Sequence, residues 1–598
     1  MKTPVIAIFF LKNNVNLSRV LHFIDKSNIL AIRLFCMKKL LFIFLLLGNL
    51  LVAQDKYPQD YFADPLDIPM LLSGTFAELR ANHFHSGLDI KTQQREGLNV
   101  YACADGFVSR IKIAHGGYGK ALYITHPNGY TTVYAHLQKF APKIEAFIKK
   151  HQYGRESYEI EVFPGAIELP VTQREVVAYS GNSGGSQGPH LHFEIRDNEE
   201  KPINPLLFGF DIKDTTKPII KEVYAFPLDE NAHVNNMGYA QKLRLIALQN
   251  GDYQTENITA FGNIGFGIVS TDRQDLSANR NGLFGIQGIF NGQTNFEMEF
   301  SKFSFDETSH INTFIDYGVY KTKKIRIQKL FLTHNIPLSL YKQIEDNGVL
   351  KIDDSTSSIY KVRVKDINDN DAWLTIDIKG NKTDDVKRET PFKSNYYIQA
   401  DQAHTFMNEN YSVYVPAESF YESFYVDFKV KSDTLFFHQD IYPMRKHMVI
   451  TYDVSSYKPE DRDNLYLAEL VGYKKYPYYI NTVLEDNKLK GFTKYLGTYA
   501  IMKDANAPVI KPLNFNDGKW ISNYRFLKLH IEDSESGISN YRATVNDTFI
   551  LMEYDYKKKM LTYDFNDNKV TDTKNNLKVI VTDNVGNSST FEATFYRK

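Results

Sequence analysis

The sequence predicts a mainly β protein of several domains. Three observations carry that expectation. Tyr and Phe are abundant, at 39 and 41 residues, and aromatic side chains favour pleated, half-buried surfaces. No stretch has the length, periodicity and caps of a long helix. Alternating segments such as "VYACADGFVSRI" and "MVITYDV" recur between turn signals, as sandwich domains require. At 598 residues the chain suggests roughly four domains of about 150 residues. A hydrophobic content of 43% with 24% charged residues is globular in composition. The net charge of −1 removes any bulk electrostatic reason to expect nucleic acid or an anionic membrane surface as partner.

The elements follow in chain order. "MKK" at 37–39 precedes "LLFIFLLLGNLLVAQ". A basic start, an apolar core and Ala53 before Gln54 match a secretory signal peptide, and the apolar run is short for a membrane span of about 20 residues. The expectation is an upstream extension over 1–36, with Met37 as initiator, a signal peptide over 37–53 and no stable membrane span after its cleavage. No cysteine follows the apolar run, so a lipid anchor is not expected. The cysteines are Cys36 and Cys103. An exported chain without disulfides fits the periplasm or cell envelope of a bacterium, and Cys103, inside an alternating segment, reads as a buried small residue.

Eight of the sixteen histidines fall between His83 and His192, which places the chemistry in a domain over 55–210. Beyond it, markers repeat. "DTTKPIIK" at 214 and "DANAPVIK" at 504 share Asp, Pro, a β-branched pair and Lys. "VRVKDINDN" at 362 and "VIVTDNVGN" at 579 share V-x-V-x-D-x-x-x-N. The second copy encloses about 100 residues, the length of a seven-strand sandwich, and the first is longer. The expected domains are a sandwich with an insertion over 214–385, a β-rich domain over 386–503 and an Ig-like sandwich over 504–598. Spacing and stabilising the first domain is their simplest role.

Three segments hold the candidate site. In "HFHSGLDI", a straight strand would put His85 and Asp89 on one face but about 13 Å apart at roughly 3.3 Å per residue. A bend at Gly87, where glycine permits unusual dihedrals, brings imidazole and carboxylate together, and His plus Asp suits zinc. "TTVYAHLQKF" reads as an alternating strand carrying His136. "SGNSGGSQGPHLHFEIR" runs from a glycine-rich loop into a strand on which His190 and His192 face the same way, about 7 Å apart. "GNSGG" also satisfies G-x-S-x-G, but the esterase elbow needs a helix after Ser183, and loop then strand follows. No His-Glu-x-x-His helix is present.

"HSGLDI", "GGYGKALYITHPNGYTTVYAHL" and "GNSGGSQGPHLHFEIR" together resemble the lysostaphin-type (LytM-type, Gly-Gly endopeptidase) zinc metallopeptidase family over about 70–208, with its H-x-x-x-D, Y-x-H-L and H-L-H elements in order. The resemblance implies a mainly antiparallel β-sheet domain with a groove, one Zn2+ held by His85, Asp89 and His192, and His136 and His190 as catalytic histidines. Spacing alone leaves open which of His190 and His192 ligates; the family pattern decides it. Three protein ligands leave a position for water. The implied activity is hydrolysis of peptide stems or cross-links in bacterial peptidoglycan. Two other readings differ in class: a non-catalytic activator of cell-wall amidases, which should lack one of the five residues, and a scaffold whose sandwiches bind an envelope protein. The family's short turn after Y-x-H-L is replaced here by a long link, whose "KIEAFIKKHQYGR" is expected as a helix at the groove. His83 is expected to stand beside the site, outside the ligand set.

Overall fold

A computed structural model describes residues 56–598 except 81, 335, 337 and 409. The upstream extension, the signal segment and Cys36 lie outside the described residues. The chain divides into a short unit, Met1–Gln59, and a second, Asp60–Lys598, which holds every element below. Among the described residues no helix is long and apolar enough to cross a membrane. The protein is mainly β.

The histidine-rich region contains β1 (Leu72–Gly74), β2 (Leu88–Lys91), β3 (Asn99–Tyr101), β4 (Gly106–Ile113), β5 (Lys120–Thr125), β6 (Thr131–Ala135), β7 (Lys139–Phe140), α1 (Pro142–Arg155), β8 (Ile160–Val162), β9 (Pro170–Val171), β10 (Val176–Tyr179), β11 (His190–Arg196) and β12 (Pro202–Ile203). The main sheet runs β1-β2-β11-β6-β5-β4-β8, with β12 beside β11 and β9 beside β4. A smaller sheet orders β3-β10-β7. Neighbours in both sheets are antiparallel. Strands β5, β6 and β11 are buried along nearly their whole length. Residues on both sides of these strands are buried, polar ones such as Thr131, Thr132 and Glu194 included, because both faces of the central sheet are covered.

Three sandwich-like regions follow. Residues 219–380 wrap around the long strand Ile258–Thr271 and the hairpin Ser357–Lys365/Asp371–Gly380, whose alternating burial matches its alternating sequence. Short helices between Phe305 and Lys323 interrupt this region. Residues 397–503 form two principal five-stranded sheets sharing a core that includes Val413, Ile450, Leu467 and Tyr499. The last region pairs a four-stranded with a five-stranded sheet over Leu529, Leu561, Val579 and Phe595.

The expected helix forms as α1, but away from the groove. Its Ile144 and Ile148 are buried, and on another face Lys149 pairs with Asp567 of the last sandwich, as Tyr153 does through its hydroxyl at 2.7 Å. Residues four apart lie on one helix face, so Lys149 and Tyr153 commit that face to the sandwich. None of α1 lines the groove.

Candidate metal centre

The centre is built on β11 and its two neighbours. In register, His192 lies opposite Asp89 of β2 on one side and Ala135 of β6 on the other. Alternation puts His190, His192, Glu194 and Arg196 on one face of β11. His85 precedes β2 in a bend. Gly87 serves that bend differently from the sequence expectation: its φ is not in the left-handed region. Glycine is required by close approach, since a Cβ would stand 2.2 Å from the Phe193 carbonyl oxygen. His136 also differs. β6 ends at Ala135, and His136 sits just beyond it with φ +57°, a conformation that costs a non-glycine residue energy and is held by its surroundings. Its N–H donates to the Tyr118 carbonyl and its carbonyl accepts from the Ser183 N–H.

The structure brings His85, Asp89 and His192 together, all buried. His85 Nε2, Asp89 Oδ1 and His192 Nδ1 are 3.0 Å from one another pairwise. A tetrahedral ion with bonds of about 2.0–2.1 Å needs donors roughly 3.3–3.4 Å apart, so the triangle fits zinc with a few tenths of an ångström of expansion. The outward ring nitrogens are committed elsewhere. His85 Nδ1–H donates to the Thr75 carbonyl at 2.7 Å, and His192 Nε2–H to Glu194 Oε1 at 2.7 Å. Such partners fix the tautomer and aim the remaining lone pair at a metal. Arg80 holds the other Asp89 oxygen at 2.7 Å.

His136 and His190 stand beside the triangle, their ring centroids 4.8 Å apart. Each gives its Nδ1–H to a backbone carbonyl, Ser183 and Gly188 respectively, at 2.9 Å. His190 Nε2 lies 3.4 Å from Asp89 Oδ1. All five sequence-selected residues therefore meet at one groove of about 1020 Å³. His83 also lines it but is exposed and outside the triangle. His126 is a buried hairpin residue tied to Asp105 and Thr132, and His115 stacks on Tyr158.

The electrostatics suit a cation. Burial opposes the charge of Asp89, yet His85 and hydrogen bonds from His190, His192 and His85 hold its carboxyl well below the usual range. Burial acts against the charged form of His192, but Asp89 and Glu194 on either side raise it to about 9; a metal at Nδ1 displaces that proton. Burial, then the neighbouring His192 and His190, push His136 down to about 3, leaving it neutral.

Sequence reasoning passed over the residues behind the triangle. Glu194 is fully buried and accepts from His192, from Ser86 Oγ at 2.7 Å, from the Tyr118 hydroxyl and from Arg196 Nε at 2.7 Å. Tyr118 stacks on His192. The signal for Glu194 and Arg196 was present: period-two spacing puts both on the face of His192, and a charged pair on a buried strand needs a partner. Nothing in the local sequence marks Arg80. The groove's far wall, with Asn279, Phe305 and Thr308, comes from the next domain.

Parts of the chain are similar to known proteins. Residues 83–153 match the model of peptidase family M23, and residues 395–504 that of the Zu5-like domain. The DD-carboxypeptidase/endopeptidase Mpg of Neisseria meningitidis is 34% identical over 133 residues, covering 22% of this chain and 24% of that protein. An uncharacterized metalloprotease of Haemophilus influenzae is 34% identical over 122 residues, 20% of each. The chain thus spans about a quarter or less of the length of these curated relatives. The catalytic domain of lysostaphin from Staphylococcus simulans aligns with 19% identity over 23% of this chain and 90% of that one, with a TM-score of 0.17. The domain built around the His85–Asp89–His192 triangle is thus the part of the chain that matches peptidase family M23.

Proposed function

We propose that the protein is an exported zinc metalloendopeptidase that cleaves peptide bonds in bacterial peptidoglycan, with His85, Asp89 and His192 as ligands and His136 and His190 as catalytic histidines. One observation carries the reading: both ligand histidines spend their outward nitrogens on Thr75 and Glu194, so two lone pairs and Asp89 Oδ1 converge on one point. Zinc bound there supplies Lewis acidity and lowers the pKa of a coordinated water.

The chain's own groups do the rest. His136, neutral and anchored through Nδ1, offers Nε2 as a proton acceptor in the groove. His190, anchored the same way, presents Nε2 beside Asp89 for donation to developing charge or to the leaving amine. Tyr118 and Glu194 lock the His192 ring. Arg80 neutralises the Asp89 oxygen that faces away from the triangle.

The substrate class rests on the similarity to a DD-carboxypeptidase/endopeptidase, and export on the apolar segment after Met37. The activator reading finds no substituted position among the five residues. Digestion of purified peptidoglycan by wild type and His85→Ala, with zinc content measured in parallel, tests the proposal. Wild type is expected to carry zinc and release new peptide termini, and His85→Ala to do neither. Equal digestion by the two proteins contradicts it.

A further inference from the structure

The repeated markers of the sequence have no part in peptide cleavage, yet the fold gathers them. Asp214, in the link between β12 and the strand Ile219–Pro227, comes from the first "Asp … Lys" marker. Asp366 begins the turn between Ser357–Lys365 and Asp371–Gly380. Asp272 follows the end of Ile258–Thr271. Oxygens of these three carboxylates all lie within 4.8 Å of one another, and none forms an ion pair with a Lys or Arg among the described residues. Three like charges at that spacing repel strongly where water is scarce.

A second observation points to a ligand. Asp272 is 7% exposed and its Oδ1 has no hydrogen-bond partner. Asn281, 3% exposed and paired with Asp272 across a β-bridge, also has an unpartnered Oδ1. Buried polar atoms are rarely left so. Both residues, with Asp214 and Asp366, line one cavity of about 30 Å³, room for a single small ion.

The arrangement occurs twice. In the last sandwich, oxygens of Asp504, Asp533 and Asp583 again lie within 4.8 Å. Asp366 accepts from the N–H of Asn368 and Asn370 and from Asn370 Nδ2, which also reaches the Asp214 carbonyl. Asp583 accepts from the N–H of Val585 and Asn587 and from Asn587 Nδ2, which also reaches the Asp504 carbonyl. The same bonds tie the segment ahead of each sandwich to the same turn.

We propose that Asp214, Asp272, Asp366 and Asn281 bind calcium, which clamps the link leaving the peptidase domain onto the following sandwich. The donors are all oxygen, as hard cations require. Carboxylates and an amide carbonyl on separate loops suit the irregular coordination of calcium better than the strict octahedron and retained waters of magnesium. The clamped loop reaches the metal centre: Gln274 bonds to Met70 and Leu72, and Gly282 N–H donates to Thr75 Oγ1, next to the carbonyl that orients His85. Calcium would therefore stiffen the backbone behind a zinc ligand while leaving zinc chemistry to the histidines.

The test is calorimetric titration of the full chain, desalted free of calcium, with CaCl2 and separately with MgCl2, beside thermal unfolding in the same buffers. Wild type is expected to bind calcium saturably, more tightly than magnesium, and to unfold at higher temperature with it. Asp272→Asn removes one charge from the cluster at nearly constant size. It is expected to unfold no lower than wild type without calcium and to bind one calcium fewer. If its calcium-free midpoint falls, Asp214→Asn, on the link itself, takes its place with the same expected loss. No calcium bound to wild type, equal calcium stoichiometry in wild type and variant, or magnesium bound as tightly overturns the proposal, whatever the zinc content.

Discussion

The histidine triangle and the aspartate cluster behind it are two buried polar groups on one β framework, and they solve the problem of burial oppositely. At the triangle every outward atom has a partner: Thr75 for His85, Glu194 for His192, Arg80 for Asp89. Only the inward lone pairs are left. At the cluster Asp272 and Asn281 each leave an oxygen unpartnered, and among the described residues no Lys or Arg forms an ion pair with its three carboxylates. The first group borders an open groove, the second a cavity the size of one ion. The difference teaches that donor chemistry and access separate a site built for reaction from one built for fastening.

Perturbations that touch only one group sharpen the comparison. The largest expected effect is on turnover. His136→Ala should keep its zinc and lose about 10²–10⁴-fold in peptidoglycan cleavage, the range for a positioned acid–base group; loss of zinc along with activity would make His136 part of the metal shell. Next is Glu194→Gln, which keeps the shape but weakens the orientation of His192. Zinc affinity should fall about 10–100-fold, read by competition with a chromophoric chelator, while calcium binding stays unchanged. A smaller effect is structural. Gly87→Ala forces a methyl against the backbone of β11 and should cost about 1–3 kcal/mol in denaturant unfolding. An unchanged midpoint would mean that β2 and β11 are not in the register described.

The smallest effect concerns a residue in neither group. Cys103 is fully buried, and burial pushes its thiol up to about 12. The native chain should therefore resist alkylation at pH 8 and react once unfolded. The sign for stability follows: an unfolded thiol titrates near 8.5, so Cys103 contributes its full share below that pH and loses it as pH rises toward 12. Rapid alkylation of the native protein would contradict the burial.

The candidates for the triangle were legible because H-x-H on a strand and H-x-x-x-D across a bend bring their own spacing, but the choice of His192 over His190 came only from the family resemblance. Glu194 and Arg196 were legible by the same alternation. His136 was visible as a residue but not in its backbone, since a left-handed turn held by Tyr118 and Ser183 depends on segments 18 and 47 residues away. The reason for Gly87 was hidden too, because the atom that excludes a side chain belongs to Phe193. The aspartate cluster was present only as two repeated markers. Asp214 and Asp366 are 152 residues apart, and only the closing of a sheet shows that they share a turn. Helix α1 was legible as a helix, but its placement depended on Asp567, far along the chain.

The most direct test of the central claim is anomalous X-ray diffraction from crystals of the full chain, recorded on both sides of the zinc absorption edge. One peak that disappears below the edge is expected, centred among His85 Nε2, Asp89 Oδ1 and His192 Nδ1, with none at the aspartates. A zinc peak at Asp214, Asp272 and Asp366 instead, or no peak at the histidines of a zinc-supplied protein, would contradict it.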